Sequence, residues 1–136
     1  MNTRKGFTLV ELLVVIAILA ILATVSVVGY TSFINNANNS AASTELHQVE
    51  TYIEADMLVD KVFQISATQR LYDNGTAVVY QELVNDTWNT VTTEKDITTA
   101  IKSLTDFADL KGTVKVTGDT LTYTRDQGGV ATAVID

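Results

Sequence analysis

The stretch from Phe7 to Val28 is an apolar run in which Glu11 is the only charged side chain, and it constrains this chain more than any other segment. At the helical rise of 1.5 Å per residue it reaches roughly 33 Å, enough to cross the hydrocarbon core of a bilayer. It therefore reads as a membrane segment. An ionisable group inside such a segment is costly without a partner, which makes Glu11 a functional candidate. The competing reading places Glu11 near enough to the end to reach the headgroups, where it would mark the edge of an ordinary anchor. Position alone leaves both open.

The residues around this carboxylate are more specific. Gly6-Phe7-Thr8-Leu9-Val10-Glu11 follows a short basic leader and precedes Leu12-Leu13-Val14-Val15-Ile16-Ala17. This arrangement resembles the class III signal of type IV pilins and their pseudopilin relatives, over about the first quarter of the chain. The resemblance implies that a membrane prepilin peptidase cuts between Gly6 and Phe7 and then methylates the new amino terminus at Phe7. It also implies that Glu11 neutralises the amino terminus of a neighbouring subunit, which would supply the partner that a buried charge requires. In that family a proline commonly occupies the position of Val28, and the helix there can melt on assembly. This chain has no proline. Val28 and Gly29, with their β-branched neighbours, are the expected soft point instead.

Charge and cysteine content set outer limits. The chain carries 9 basic and 16 acidic residues for a net charge of −7, and loss of Arg4 and Lys5 with a leader would take it to −9. Such a balance opposes nonspecific nucleic-acid binding, so no nucleic-acid partner is expected. With no cysteine, neither a disulfide nor a thiolate metal site is available. That departs from the many pilins of double-membrane bacteria that close their C-terminal region with a disulfide, and suits a pilin of a single-membrane bacterium.

Residues 1–6 read as a leader, with Arg4 and Lys5 as the positive flank that keeps a membrane N-terminus cytoplasmic. Residues 7–33 read as a transmembrane and filament-core helix, ending at the interfacial aromatics Tyr30 and Phe33. Residues 34–136 read as an amphipathic helix half plus a small globular domain. A secretory signal or a simple single-pass anchor are the alternatives for the first segment. Asn35 to Ser40 has linker composition, yet Leu46, Val49, Ile53 and Met57 then recur at helical spacing, and the stripe drifts on through Leu58, Val62 and Ile65. One long helix is the reading, with two helices and a linker as the alternative.

Downstream, Asn74-Gly75 marks a turn, Thr76 to Tyr80 a strand, and Asn85 to Asn89 a loop around Trp88. Asp96 is placed to cap a helix running to about Leu110, closed by Gly112. Val114, Val116, Leu121 and Tyr123 alternate about a Gly118-Asp119 turn, and Gly128-Gly129 precedes Val130 to Ile135. The expected fold class is α+β: a long N-terminal helix with a C-terminal three-stranded antiparallel β-meander.

Catalytic, cofactor and metal sites are absent from this reading. His47 stands without cysteines or clustered carboxylates, and Glu50 with Glu54 fits a solvated helix face. Asp119, Asp126 and Asp136 are similar in kind to the calcium-binding region of major pseudopilins but match no loop pattern. Three sequons begin at Asn38, Asn74 and Asn85. Trp88 and Tyr80 are assigned to core packing ahead of an adhesive patch.

The resemblance implies a non-enzymatic subunit of a type IV pilus, most readily the major pilin. It would be held in the membrane before assembly and on the cell surface afterwards. Its partners would be further copies of itself in a helical filament, the prepilin peptidase, the assembly platform and minor pilins. A pseudopilin of a secretion or DNA-uptake system shares the same N-terminal motif. A membrane-anchored binding module that never polymerises is the reading from another class.

Overall fold

The computed structural model describes residues 5–136, which divide into two compact units, one ending at Asn35 and the other running from Asn36 to Asp136. Helix α1 is assigned from Leu9 to Asp60 and contributes to both. The reading of one long helix is what the structure shows, and Asn35 to Ser40 is helical.

In the first unit the apolar side chains of α1 are left uncovered by the described residues, from Leu9 at 81% exposure to Phe33 at 68%. Three of its hydroxyls are satisfied locally. Thr24 Oγ1 donates to the Ile21 carbonyl at 2.7 Å, Ser26 Oγ to Leu22 at 2.7 Å, and Thr31 Oγ1 to Val28 at 3.0 Å. Hydroxyls turned back onto their own helix leave the outer surface apolar, as a hydrocarbon environment demands. Val28 and Gly29 lie within the helix without interruption, and a Cβ on Gly29 would meet nothing within 4 Å.

In the second unit α1 presents Ala42, Leu46, Val49, Ile53 and Met57 as a buried stripe. It ends where Lys61 takes a left-handed conformation, φ 56°, and donates its N–H to the Met57 carbonyl at 2.9 Å. Two four-stranded antiparallel sheets follow. The first is β1 (Val62–Ser66), β2 (Gln69–Asp73), β3 (Val78–Val84) and β4 (Thr87–Thr90), in that spatial order. Strand β5 (Lys95–Asp96), helix α2 (Thr98–Ser103) and a 3₁₀ turn (Thr105–Phe107) lead to β6 (Gly112–Thr117), β7 (Thr120–Arg125) and β8 (Val130–Val134). The second sheet has the order β5-β6-β7-β8.

The α+β class holds, but the three-stranded meander is corrected to two four-stranded sheets. Val62 and Ile65 belong to β1 rather than to the helix. Once Lys61 breaks the helical path, the run Val-Phe-Gln-Ile buries Phe63 and exposes Gln64, a period of two that suits its β-branched and aromatic residues. The loop expected around Trp88 is a hairpin. Asn85 and Asp86 both have positive φ, 50° and 60°, the conformation of a two-residue type I′ turn, and Trp88 lies in β4 opposite Leu83. The helix expected to reach Leu110 stops at Ser103, because Leu104 turns to extended backbone at φ −74°, ψ 135°. Gly112 opens β6 instead of capping a helix, and a Cβ there would lie 2.6 Å from Tyr123 Cε2.

One core joins the α1 stripe to Phe63, Leu71, Val78 and Tyr80 of the first sheet and to Val114, Val116, Leu121 and Tyr123 of the second, with Ile97, Ile101, Phe107 and Ile135 closing it. Full burial of an aliphatic or aromatic side chain of this size stabilises by about 1.5–3 kcal/mol. Two buried tyrosines carry polar tips to its rim. Tyr123 donates to Glu45 Oε2 of α1 at 2.6 Å, and Tyr80 donates to Glu82 Oε1 at 3.1 Å. Lys95 Nζ, from the second sheet, lies 3.1 Å from the same Glu82 oxygen and ties the sheets together. Hydrogen bonding to Lys95 holds the Glu82 carboxyl below the usual carboxylate value.

The Asn-rich segment of α1 is clamped by the β7–β8 connection. Asn39 Oδ1 accepts the Val130 N–H at 3.1 Å, and Gly129, at φ 100°, sits where a Cβ would overlap the Asn38 carbonyl. Gly129→Ala is expected to destabilise the fold by about 3 kcal/mol, combining left-handed strain with that overlap. Gly75→Ala, at φ 88° with open space around it, carries strain alone and is expected to cost about 1 kcal/mol. Thermal unfolding of the detergent-solubilised variants checks the ranking, and equal losses would refute the clamp.

Burial first, and then the hydrogen bonds to Glu82 and Glu45, push the Tyr80 and Tyr123 phenols well above the ordinary tyrosine value. Both favour the neutral form in the folded chain, so their stabilisation is complete below a pH of about 10 and is lost as pH rises beyond it. An alkaline titration following phenolate absorbance and circular dichroism together should show part of the phenolate signal appearing only as the fold is lost. Complete titration of all tyrosines with the dichroism intact would contradict this.

Candidate functional site

The first turn of α1 concentrates the chain's distinctive chemistry. Gly6 and Phe7 precede the helix outside any regular element, and Phe7 is 87% exposed. Arg4 and the first part of the expected leader lie outside the described residues, whereas Lys5 is described and exposed. Among the described residues nothing packs over the peptide bond between Gly6 and Phe7, two residues before the helix begins at Leu9.

Thr8 and Glu11 close a reciprocal pair. The Thr8 N–H donates to Glu11 Oε2 at 2.8 Å, and the Glu11 N–H donates to Thr8 Oγ1 at 3.2 Å. The Leu12 N–H bonds to the Thr8 carbonyl at 3.2 Å, so Thr8 is the residue at which the helix starts. This is a capping box, in which a hydroxyl and a carboxylate three residues apart satisfy two backbone donors that no helical carbonyl can reach. The carboxylate also faces the positive end of the helix dipole. Sequence reasoning treated Glu11 as a charge in need of a partner. The Thr-x-x-Glu spacing ahead of an apolar run was the signal for this arrangement.

The consequence is a carboxylate that is held by its own helix start while keeping one oxygen, Oε1, outside the pair. Immediately beyond lies an apolar surface lined by Phe7, Leu9, Leu12, Leu13 and Ile16. A charged anchor point and an uncovered apolar helix thus begin within one turn of each other. Val28 and Gly29 lie well downstream on the same helix and take no part in this turn.

The other residues singled out by sequence are not brought together. His47 Nδ1 lies 3.1 Å from Glu50 Oε2 on an exposed face of α1, and Glu54 Oε1 accepts the Asp136 N–H at 3.3 Å. Among the described residues no group of three or more His, Cys, Asp or Glu side chains is arranged to hold a metal ion. Asn38 packs against the Gly128-Gly129 turn, Asn74 Oδ1 accepts the Thr76 and Ala77 N–H groups, and Asn85 forms the β3–β4 turn. Tyr80 is in the core, as expected, but Trp88 is not. It is half-buried on the outer face of the first sheet, because Tyr80 and Trp88 lie on opposite sides of the pleat.

Comparison with known families places the prokaryotic N-terminal methylation motif on residues 1–27. The chain carries the class III signal of type IV pilins and pseudopilins at the head of a long apolar helix. No curated protein and no solved structure gave a significant match.

Thr8→Ala removes one half of the capping box and is expected to fray the first turn of α1 by about 1 kcal/mol, with Thr8→Ser retaining it. Hydrogen exchange at the amides of Leu9 to Leu12, in micelles, reads this directly. Unchanged protection in Thr8→Ala would show that the pair does not hold the helix start.

Proposed function

We propose that this chain is a structural subunit of a type IV pilus, most readily its major pilin, which polymerises through α1 after its leader is removed. The observation that carries this reading is the methylation motif on a helix whose apolar surface finds no cover among the described residues. Such a helix is stored singly in a bilayer, its N-terminus on the cytoplasmic side beside Arg4 and Lys5. Many copies bury one another as a filament core, through contacts that repeat without closing.

In this reading residues 1–6 are the leader, residues 7–33 the membrane and filament-core segment, and residues 34–136 the exposed pilin domain. The prepilin peptidase cuts between Gly6 and Phe7, and Phe7 becomes the methylated first residue. Cleavage creates an ammonium group next to the capping box. Glu11, still holding the Thr8 N–H through Oε2, has Oε1 available for the amino terminus of a neighbouring copy. That contact sets the axial register, since packing and polar pairing are what associate helices in lipid. Val28 and Gly29 supply the point at which the helix yields on assembly. The assembly platform and minor pilins are the remaining partners, and the role is structural, not catalytic.

The small size of the chain and the intact Glu11 favour the major pilin over a pseudopilin, which shares the motif. Co-expression with a prepilin peptidase and mass spectrometry of the mature N-terminus is the test. The expected product begins at Phe7 and carries one added methyl group. An uncut Met1, or a cut beyond Ala20, ends the reading. Gly6→Val should block cleavage, while Glu11→Ala should be cleaved normally yet yield few fibres. A wild-type fibre yield from Glu11→Ala would remove the charge-pairing role.

A further inference from the structure

The first sheet has a second face, turned away from the core, whose composition differs from the rest of this acidic chain. The strand registers place Arg70 and Tyr72 of β2 beside Gln81 and Val79 of β3, with Leu83 opposite Trp88. Arg70 is held there in a fixed plane. Its Cζ lies 4.0 Å from the Trp88 ring centroid and 5.0 Å from that of Tyr72, and its Nε donates to Gln81 Oε1 at 3.0 Å.

Stacking and one hydrogen bond through Nε leave the two terminal nitrogens of the guanidinium without a hydrogen-bond partner among the described residues. Among the described residues no carboxylate lies within ion-pair distance of them, although the chain has 16 acidic residues. None of the strand residues sharing this face is acidic. A planar cation that is already ordered, on an apolar surround, is suited to a carboxylate carried on an apolar segment.

The same chain presents that segment elsewhere. Leu58 and Val59, at 84% and 83% exposure, are the most exposed large apolar side chains of the second unit. Asp56 and Asp60 flank them, both exposed and neither in an ion pair among the described residues. Leu58 and Val59 lie on the side of α1 turned away from Ile53 and Met57, which enter the core, while Asp56 and Asp60, each three residues on from one of that pair, stand at the exposed margin of the buried stripe. The back of the helix and the outer face of the sheet thus lie on opposite sides of that core, so one chain cannot bring them together.

We propose that the Arg70 face of one copy receives the Asp56–Val59 turn of the next, its guanidinium taking Asp56, which shares a flank of α1 with Val59 three residues on, while Val59 and Leu58 pack on Leu83, Val79 and the rim of Trp88. The contact is heterologous, joining two different surfaces, and therefore propagates. It rests on the filament reading and deepens it by naming a contact between pilin domains that is independent of α1's apolar half. Complementary charge on a net-acidic subunit also selects register and disfavours misaligned neighbours.

The chain has no cysteine of its own, which makes cross-linking free of background. Fibres sheared from cells expressing Val59→Cys/Leu83→Cys with the prepilin peptidase should give a disulfide ladder under mild oxidant, with either single variant giving none. Arg70→Glu should lower fibre yield about tenfold, and Arg70→Glu combined with Asp56→Lys should restore most of it. Arg70→Gln, which keeps the stacking volume without the charge, should fall between them. Fibres of the double-cysteine chain without a ladder, or undiminished yield from Arg70→Glu, overturn this contact and leave the filament standing. A wild-type chain that is cleaved yet never forms fibres overturns the filament reading, and this contact with it.

Discussion

The structure depends on one demand made by α1: its apolar surface must be covered. From Ala42 to Met57 the chain meets that demand itself, with two sheets and α2 converging on a single stripe of small and branched side chains. From Leu9 to Phe33 the described residues offer no cover. The hydroxyls of Thr24, Ser26 and Thr31 are turned onto carbonyls of their own helix, which lessens the polar cost of transfer into hydrocarbon or into a bundle of like helices. The two parts of one helix are therefore solved by different solvents, protein for one and lipid or neighbouring copies for the other.

The polar groups are placed economically around this division. Glu11 meets the positive end of its own helix, and Glu45, Glu82 and Lys95 sit at the edge of the core where buried tyrosines need acceptors. Arg125 Nε, buried and 3.3 Å from Glu45 Oε1, is within ion-pair distance without hydrogen-bonding geometry. Its main effect is to neutralise a carboxylate that already accepts from Tyr123. In each case a charge is tolerated because a specific donor is fixed beside it by a strand or a helix start.

How much of this was legible in the sequence differs sharply between segments. The apolar run, the Leu46-Val49-Ile53-Met57 stripe and the turns at Gly118-Asp119 and Gly128-Gly129 depend on local periodicity and turn chemistry, and these are visible along the chain. Part of β3 is legible at Val78 to Tyr80, but β1 is hidden because Val62 and Ile65 fall in helical phase with Leu58, so only the left-handed Lys61 separates helix from strand, and lysine gives no hint of it. The Asn85-Asp86 turn was legible in principle but was read as loop. The α2 helix was overextended because Ile97, Ile101 and Phe107 do share one buried side, reached through a 3₁₀ turn and not by continuous helix. At the candidate site the motif is plain in the sequence, and so is the Thr8-x-x-Glu11 spacing, but the capping box itself depends on Thr8 being the residue at which the helix starts.

The clamp on the Asn-rich segment has a consequence for the order in which the molecule comes into being. Asparagines favour helix poorly, and tertiary support decides such cases. Here the support at Asn39 comes from Val130, 91 residues further along the chain. A ribosome therefore delivers the apolar anchor long before it delivers the strand that secures the helix behind it. Until β8 arrives, the anchor can enter a bilayer ahead of a segment with weak helical preference, and Asn38 and Asn39 gain their support only once the domain closes.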